Sequence, residues 1–227
     1  MLEKTKIITS MKVSFEVVKK RYQAVLTDRV YLLSLSIGVV LLSAVFLINF
    51  YAVSHATKSA SNPVSDIILS NVPVFNLNFL VVYCPFIFWA FIGLFCLTDP
   101  KRIPFVLKSV ALFVLIRSVF INLTQLGPFP DQADIDYTLR SVRFFTAGGD
   151  LFFSGHTGAP FLMALIFGRN NLFWRISFTA VAIFFGVVVL LAHVHYTIDV
   201  LAAFFITYTI YVLATKFFPG DAERFWR

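Results

Sequence analysis

The stretch VYLLSLSIGVVLLSAVFLINFYAV, Val30 to Val53, holds no Lys, Arg, Asp or Glu, and the charge-free interval around it runs from Arg29 to Lys58. A helix rises about 1.5 Å per residue and a bilayer core is about 30 Å thick, so roughly 20 apolar residues cross it. This stretch therefore predicts a transmembrane helix, and the rest of the chain agrees with it. Of 227 residues, 59% are hydrophobic and 14% charged, with a mean hydropathy of +0.83. Soluble domains run nearer half apolar and a quarter charged. The composition excludes disorder, a secreted disulfide scaffold and an ordinary soluble enzyme. The 28 Phe suit lipid-facing and inter-helix packing. Cys84 and Cys96 share one apolar run and indicate neither a disulfide nor a metal cluster. The net charge of +7 has no nucleic-acid motif behind it. In a membrane protein, basic residues mark the cytoplasmic side and contact anionic lipid.

Working outward, further apolar runs lie near Leu77 to Leu97, Pro104 to Leu123, Ser154 to Gly168, Leu172 to Ala192 and Tyr196 to Phe217. The prediction is an all-α, polytopic bundle of six transmembrane helices. It divides into a basic cytoplasmic or interfacial segment (residues 1–29), a six-span catalytic domain (30–218) and a cytoplasmic tail (219–227). Lys4, Lys6, Lys12, Lys19, Lys20, Arg21 and Arg29 precede the first span, and Lys101, Arg102, Arg169, Arg175, Lys216, Arg224 and Arg227 fall on the same side of a six-span plan. The opposite side carries Lys58, Arg140 and Arg143 against Asp66, Asp131, Asp134, Asp136 and Asp150. Basic loops stay in the cytoplasm, so both termini are expected there. No cleavable signal peptide is visible, and the first span is expected to be an uncleaved anchor. Before it, Phe15, Val18, Tyr22, Val25 and Leu26 among basic residues suit a helix in the interface, and a solvated basic tail is the alternative. The longest stretch outside the spans, about Thr124 to Phe153, faces the non-cytoplasmic side, and a loop of that length is usually functional.

Three of the four histidines, His156, His193 and His195, fall at the non-cytoplasmic ends of spans. Ionisable groups at a membrane span are costly and point to function. His195 and Asp199 are four apart, which puts both on one helix face. A carboxylate on one imidazole nitrogen fixes the tautomer and leaves the other nitrogen free to attack or to take a proton. His156 could then serve as general acid. The bland alternative is interfacial histidines and a capping Asp, against which stands their shared membrane face. Arg117 lies inside the third span, about six residues or 9 Å from its outer end. A guanidinium there needs an anion, a buried acid or a route to water, and its planar donors suit phosphate. Ser154, Gly155 and Arg143 join it as candidate phosphate-binding residues. His193 and His195 could chelate a metal, but no Cys or acid cluster completes a site, so none is expected.

Ser154-Gly155-His156-Thr157, with His195 and Asp199 in a His-x-x-x-Asp spacing, resembles the type 2 phosphatidic acid phosphatase superfamily. More narrowly, Gly149-Asp150 through Thr157 and Ala192 through Val200 resemble the Cys-Gly-Asp-x-x-x-Ser-Gly-His-Thr motif and the last motif of its sphingomyelin synthase branch, and Arg117, Thr124 and Leu126 match the spacing of an upstream Arg…Thr-x-Leu segment. The broad phosphatase signature has a Lys-x₆-Arg-Pro segment and an Arg before the last His. Here Lys108 and Arg117 are nine apart, and Val188 and Val189 stand near the second position. The resemblance implies that His195 attacks phosphorus, Asp199 orients it and His156 protonates the leaving alcohol, with no cofactor and no metal. It implies a membrane lipid phosphotransferase, with a phospholipid donor and ceramide or diacylglycerol as acceptor. With water as acceptor the same site would be a phosphatase acting on phosphatidic acid or an isoprenoid diphosphate. A non-enzymatic membrane protein of the same fold is the third alternative.

Overall fold

A computed structural model describes residues 16–135 and 149–227, and the described part is all-α, with no strand. Its helices are α1 (residues 16–26), α2 (Arg29–Lys58), α3 (Asn78–Leu97), α4 (Ile103–Leu123, entered through a 3₁₀ turn at Pro100–Arg102), α5 (Gly155–Phe167), α6 (Leu172–Leu191), α7 (Thr197–Phe217) and α8 (Pro219–Trp226). Five of them are long and apolar enough to cross a membrane: α2, α3, α4 with its leading turn, α6 and α7. Most begin at a recognisable stop. Asp28 caps α2 by accepting from the amides of Val30 and Tyr31, Pro100 and Pro104 open the 3₁₀ turn and α4, and Asn171 caps α6 by accepting from Trp174.

The fourth predicted span is where the structure departs from the length argument. Helix α5 has 13 residues, about 20 Å, which is short of a bilayer core. Nine of the 13 are buried. Helices α4, α6 and α7 pack around α5. Close approach is enforced at Gly158, where a Cβ would lie 2.8 Å from both the Phe113 ring of α4 and the Thr207 hydroxyl of α7.

Helix α4 is the centre of the bundle and packs on α2, α5 and α7. Eleven of its 21 residues are buried, whereas α2 and α3 keep most of their apolar side chains on the outside, as lipid-facing helices do. Helix α3 leans on α6 and stands off from α2 and α4, leaving a cleft between them. The chain direction alternates, so the ends of α2, α4 and α6 gather with the starts of α3, α5 and α7. That end is called the histidine end here.

The opposite end is closed by α8, the segment that the sequence reads as a tail. Trp226 Nε1 donates to the Ile166 carbonyl at 2.9 Å, and the Phe225 ring lies 5.9 Å from Phe105 and 5.1 Å from Phe167. Lys108, buried in α4, donates to Asp221 Oδ2 at 2.6 Å and to Ser34 Oγ at 2.7 Å, and Ser34 donates to Asp221 Oδ1 at 2.5 Å. On the same side, Arg21 and Tyr22 of α1 donate to the carbonyls of Thr98 and Leu97 at 2.9 and 3.1 Å.

Candidate active site

The site is assembled by two turns. The first links α6 to α7. His193 adopts φ 54°, the left-handed conformation that usually ends a helix with Gly or Asn. Its turn lets the amides of Val194 and His195 both donate to the Val189 carbonyl, at 2.9 and 3.4 Å. The chain reverses at once and His195 arrives just before α7. Asp199, in the first turn of α7, is fully buried. Its Oδ2 accepts from His195 Nδ1 at 3.2 Å and from the Tyr196 amide at 3.0 Å.

The second turn is the loop into α5. The Ser154 amide donates to the Asp199 carbonyl at 3.1 Å, which ties the two histidine segments together. The Leu151 carbonyl accepts from His195 Nδ1 at 2.9 Å. Both neighbours of Nδ1 are acceptors, so Nδ1 carries the proton and Nε2 keeps its lone pair. The rings of His156 and His195 stand 6.0 Å apart, centroid to centroid, and both line one cavity of about 660 Å³.

His156 is held from across the cavity. Its Nε2 lies 3.0 Å from the Val81 carbonyl of α3. In an unbroken helix that carbonyl would take the amide of residue 85, but residue 85 is proline and has no N–H. The proline thus frees the acceptor that fixes the His156 ring. A carbonyl can only accept, so Nε2 carries the hydrogen.

Arg117 lines the same cavity and is buried, with Nη2 2.6 Å from Asp150 Oδ2 and 2.9 Å from the Asp150 carbonyl, and Nε 3.2 Å from the Phe153 carbonyl. No hydrogen bond engages Nη1 among the described residues. Gly155 sits against this guanidinium, where a Cβ would be 3.3 Å from Nε. The sequence left phosphate or a buried acid open as the partner of Arg117. Asp150 is the acid.

The structure therefore brings His156, His195, Asp199, Arg117 and Gly155 together. Ser154 stands apart from these five. It is fully buried, its Oγ caps α5 by accepting from the Thr157 amide at 3.4 Å, and it does not line the cavity. Its hydroxyl oxygen accepts at the helix end, as the N-cap chemistry of serine predicts. Arg143 lies outside the described residues. The ring of His193 packs edge-on to Phe129 at 5.3 Å and its nitrogens have no partner among the described residues. No cluster of metal-ligating side chains occurs among the described residues.

Two residues that matter here were not singled out in the sequence. Pro85 is one, and its signal was a proline inside a predicted span. Asp66, in the loop between α2 and α3, is the other. It accepts from the Thr197 amide and hydroxyl, both at 2.7 Å, and from the amides of Ile68 and Leu69 at 2.9 and 3.1 Å. It satisfies the first amide of α7 from 131 residues away, beside the local bond from the Tyr196 amide to Asp199. Burial alone would raise its pKa, but these four bonds outweigh it and hold the carboxyl below its ordinary value. No local sequence pattern marks such a partner.

Residues 148–216 match the family model described as PAP2 superfamily C-terminal, a segment that carries both histidine motifs. The likeness to that superfamily is confined to this segment of the chain. Neither the curated proteins nor the solved structures give a match to this chain.

Proposed function

We propose that the protein is a membrane lipid phosphotransferase of sphingomyelin synthase type, working through a histidine nucleophile. The observation that carries this is His195: Nδ1 is occupied by Asp199 and Leu151, Nε2 has no hydrogen-bond partner among the described residues, and the ring faces His156 at the polar end of an apolar cavity. In the first step, Nε2 of His195 attacks phosphorus and the P–O bond to the donor's lipid alcohol breaks. The alkoxide takes a proton from His156 and leaves as the alcohol. With Nε2–H of His156 held by Val81, His156 acts from its imidazolium form, gives up the proton on Nδ1 and is left neutral. Asp199 stabilises the positive imidazole that forms at His195, and Arg117 neutralises the phosphoryl oxygens through the donor not committed to Asp150. In the second step, the hydroxyl of ceramide or diacylglycerol gives its proton back to His156 and attacks phosphorus, and the P–N bond breaks to release His195 as the neutral imidazole. The motif matches at Gly149 to Thr157 and at Ala192 to Val200, together with Arg117, support the synthase branch.

Hydrolysis on the same residues, with water in the second step, is the second reading, favoured by the match to the wider superfamily. The six-span plan supports a topology with both termini cytoplasmic and the histidines on the far face, α5 being a short span sheltered by its neighbours. The test is to incubate purified protein in detergent with head-group-labelled phospholipid, with and without ceramide or diacylglycerol. A labelled lipid that forms only with acceptor establishes transfer, release of a water-soluble phosphate product establishes hydrolysis, and neither product overturns both. Acid-labile label on wild type that is absent from His195→Ala identifies the nucleophile.

A further inference from the structure

The cavity does not end at the histidines. It continues through the cleft between α3 and the α2–α4 pair and reaches Cys96, Leu97 and Ile103 at the opposite end. Its polar lining, Asn49, Arg117, Asp150, His156 and His195, belongs to the histidine end, and the remainder is apolar. Along α3, the distance from Val81, which holds His156, to Leu97 is 16 residues, about 24 Å. A long, narrow, apolar cleft with a phosphate-competent end has the shape of a single hydrocarbon tail and not of a polar solute. Gly93 lines it, and a Cβ built there meets nothing within 4 Å. A side chain at this position would project into the cleft rather than into protein.

Resting on the lipid-phosphate reading of the site, we propose that this cleft takes one hydrocarbon tail of the lipid substrate and that Gly93 sets the length of tail it accepts. Gly93 lies 12 residues beyond Val81, about 18 Å from the histidine end. A tail shorter than that depth never meets position 93. A longer one must pass it. The second tail of a two-chain lipid stays in the bilayer, outside the gap between α2 and α3.

The experiment compares wild type, Gly93→Ala and Gly93→Leu, as purified full chains in mixed micelles. The probes are phosphatidylcholines and phosphatidic acids with saturated tails of graded length. Relative kcat/KM is read for each tail, and the shift in melting temperature is read with the same lipids. Expected is a Gly93→Leu enzyme as active as wild type on short tails and about tenfold or more weaker on the longest, the order of a methylene-scale clash in an apolar pocket, with Gly93→Ala between them. Parallel length profiles in all three proteins overturn the tail site while leaving the chemistry standing. If no lipid is turned over, the chemistry falls and the melting shifts decide the cleft. Stabilisation that grows with tail length in wild type and is truncated in Gly93→Leu supports it, and identical or absent shifts overturn it. Should Gly93→Leu fail to fold, Gly93→Val carries the same comparison.

Discussion

Helix α4 carries two buried ion pairs, nine residues or about 13 Å apart, and they are built differently. At one end Lys108 meets Asp221 and Ser34, and the three side chains satisfy one another inside packed protein. At the other end Arg117 meets Asp150, but one guanidinium nitrogen has no partner among the described residues and the pair faces the cavity of the two histidines. A closed pair of this kind joins segments: it fastens α8 to α2 and α4. An open pair of this kind keeps a cation in place at little solvation cost while leaving it a donor for a further anion. Lysine suits the first task as a compact charge, and arginine the second because its fork can hold an acid and still present an N–H.

The comparison breaks most decisively at the histidine beside the open pair. His195→Ala is expected to leave the fold intact and lower kcat by about 10⁴ or more, as loss of a nucleophile does, read by head-group transfer and by thermal melting on the same preparation. A comparable melting loss would move His195 from chemistry to structure.

The two pairs should then separate stability from rate. Asp221→Ala strands Lys108 without its acid and is expected to cost about 3–5 kcal/mol of stability, while the double variant Lys108→Met with Asp221→Leu regains most of it. Turnover per folded molecule should stay near wild type in that double variant. Arg117→Lys keeps the charge but loses the fork, and it should lower kcat by about 10²-fold with a much smaller change in melting. Equal effects of the two substitutions on rate would erase the distinction between the ends.

A finer test concerns how His156 is held. Pro85→Ala restores the amide that the Val81 carbonyl lacks, so the helix competes with His156 for that acceptor. Expected is a fall of about tenfold in kcat with KM unchanged, a shift of the limb of the pH profile set by the general acid, and no further fall when His156→Ala is already present. An additive double variant would show that the carbonyl is irrelevant to the acid.

The smallest effect is expected at Asp66. Its carboxyl is held below its ordinary value in the folded protein, so the stabilisation it gives is fully present above the ordinary value and is lost as pH falls through the depressed one. Wild type should therefore lose melting temperature at the acid end of its range more steeply than Asp66→Asn, by an amount of the order of one cap, about 1 kcal/mol. Matching acid limbs would mean that the Thr197 bonds carry no proton linkage.

Much of this was legible in the chain. Long apolar runs with few charges marked the five long helices, because a membrane imposes length and apolarity that no tertiary contact relaxes. The His-x-x-x-Asp spacing pointed to the right pair for a different reason: His195 stands before α7 and not on its face, and the turn into the helix brings it to Asp199. Helix α5 was harder: its brevity is permitted by neighbours that a hydropathy window does not see. A serine before a helix has two uses, and the motif does not distinguish the capping bond that Ser154 makes from a contact to phosphate. Asp66 and Asp221 were invisible as partners, since each acts across more than 100 residues on a backbone or side chain that only folding brings near.

The stand-off of α3 from α2 has a consequence for how any rate must be measured. A cleft open along its flank exchanges its occupant with the surrounding hydrocarbon sideways, so the relevant solvent is two-dimensional. Saturation should then follow the mole fraction of substrate in the micelle or bilayer, and diluting the lipid with inert amphiphile at fixed bulk concentration should slow the reaction as surely as removing it. A Michaelis constant in molar units would describe the detergent as much as the protein.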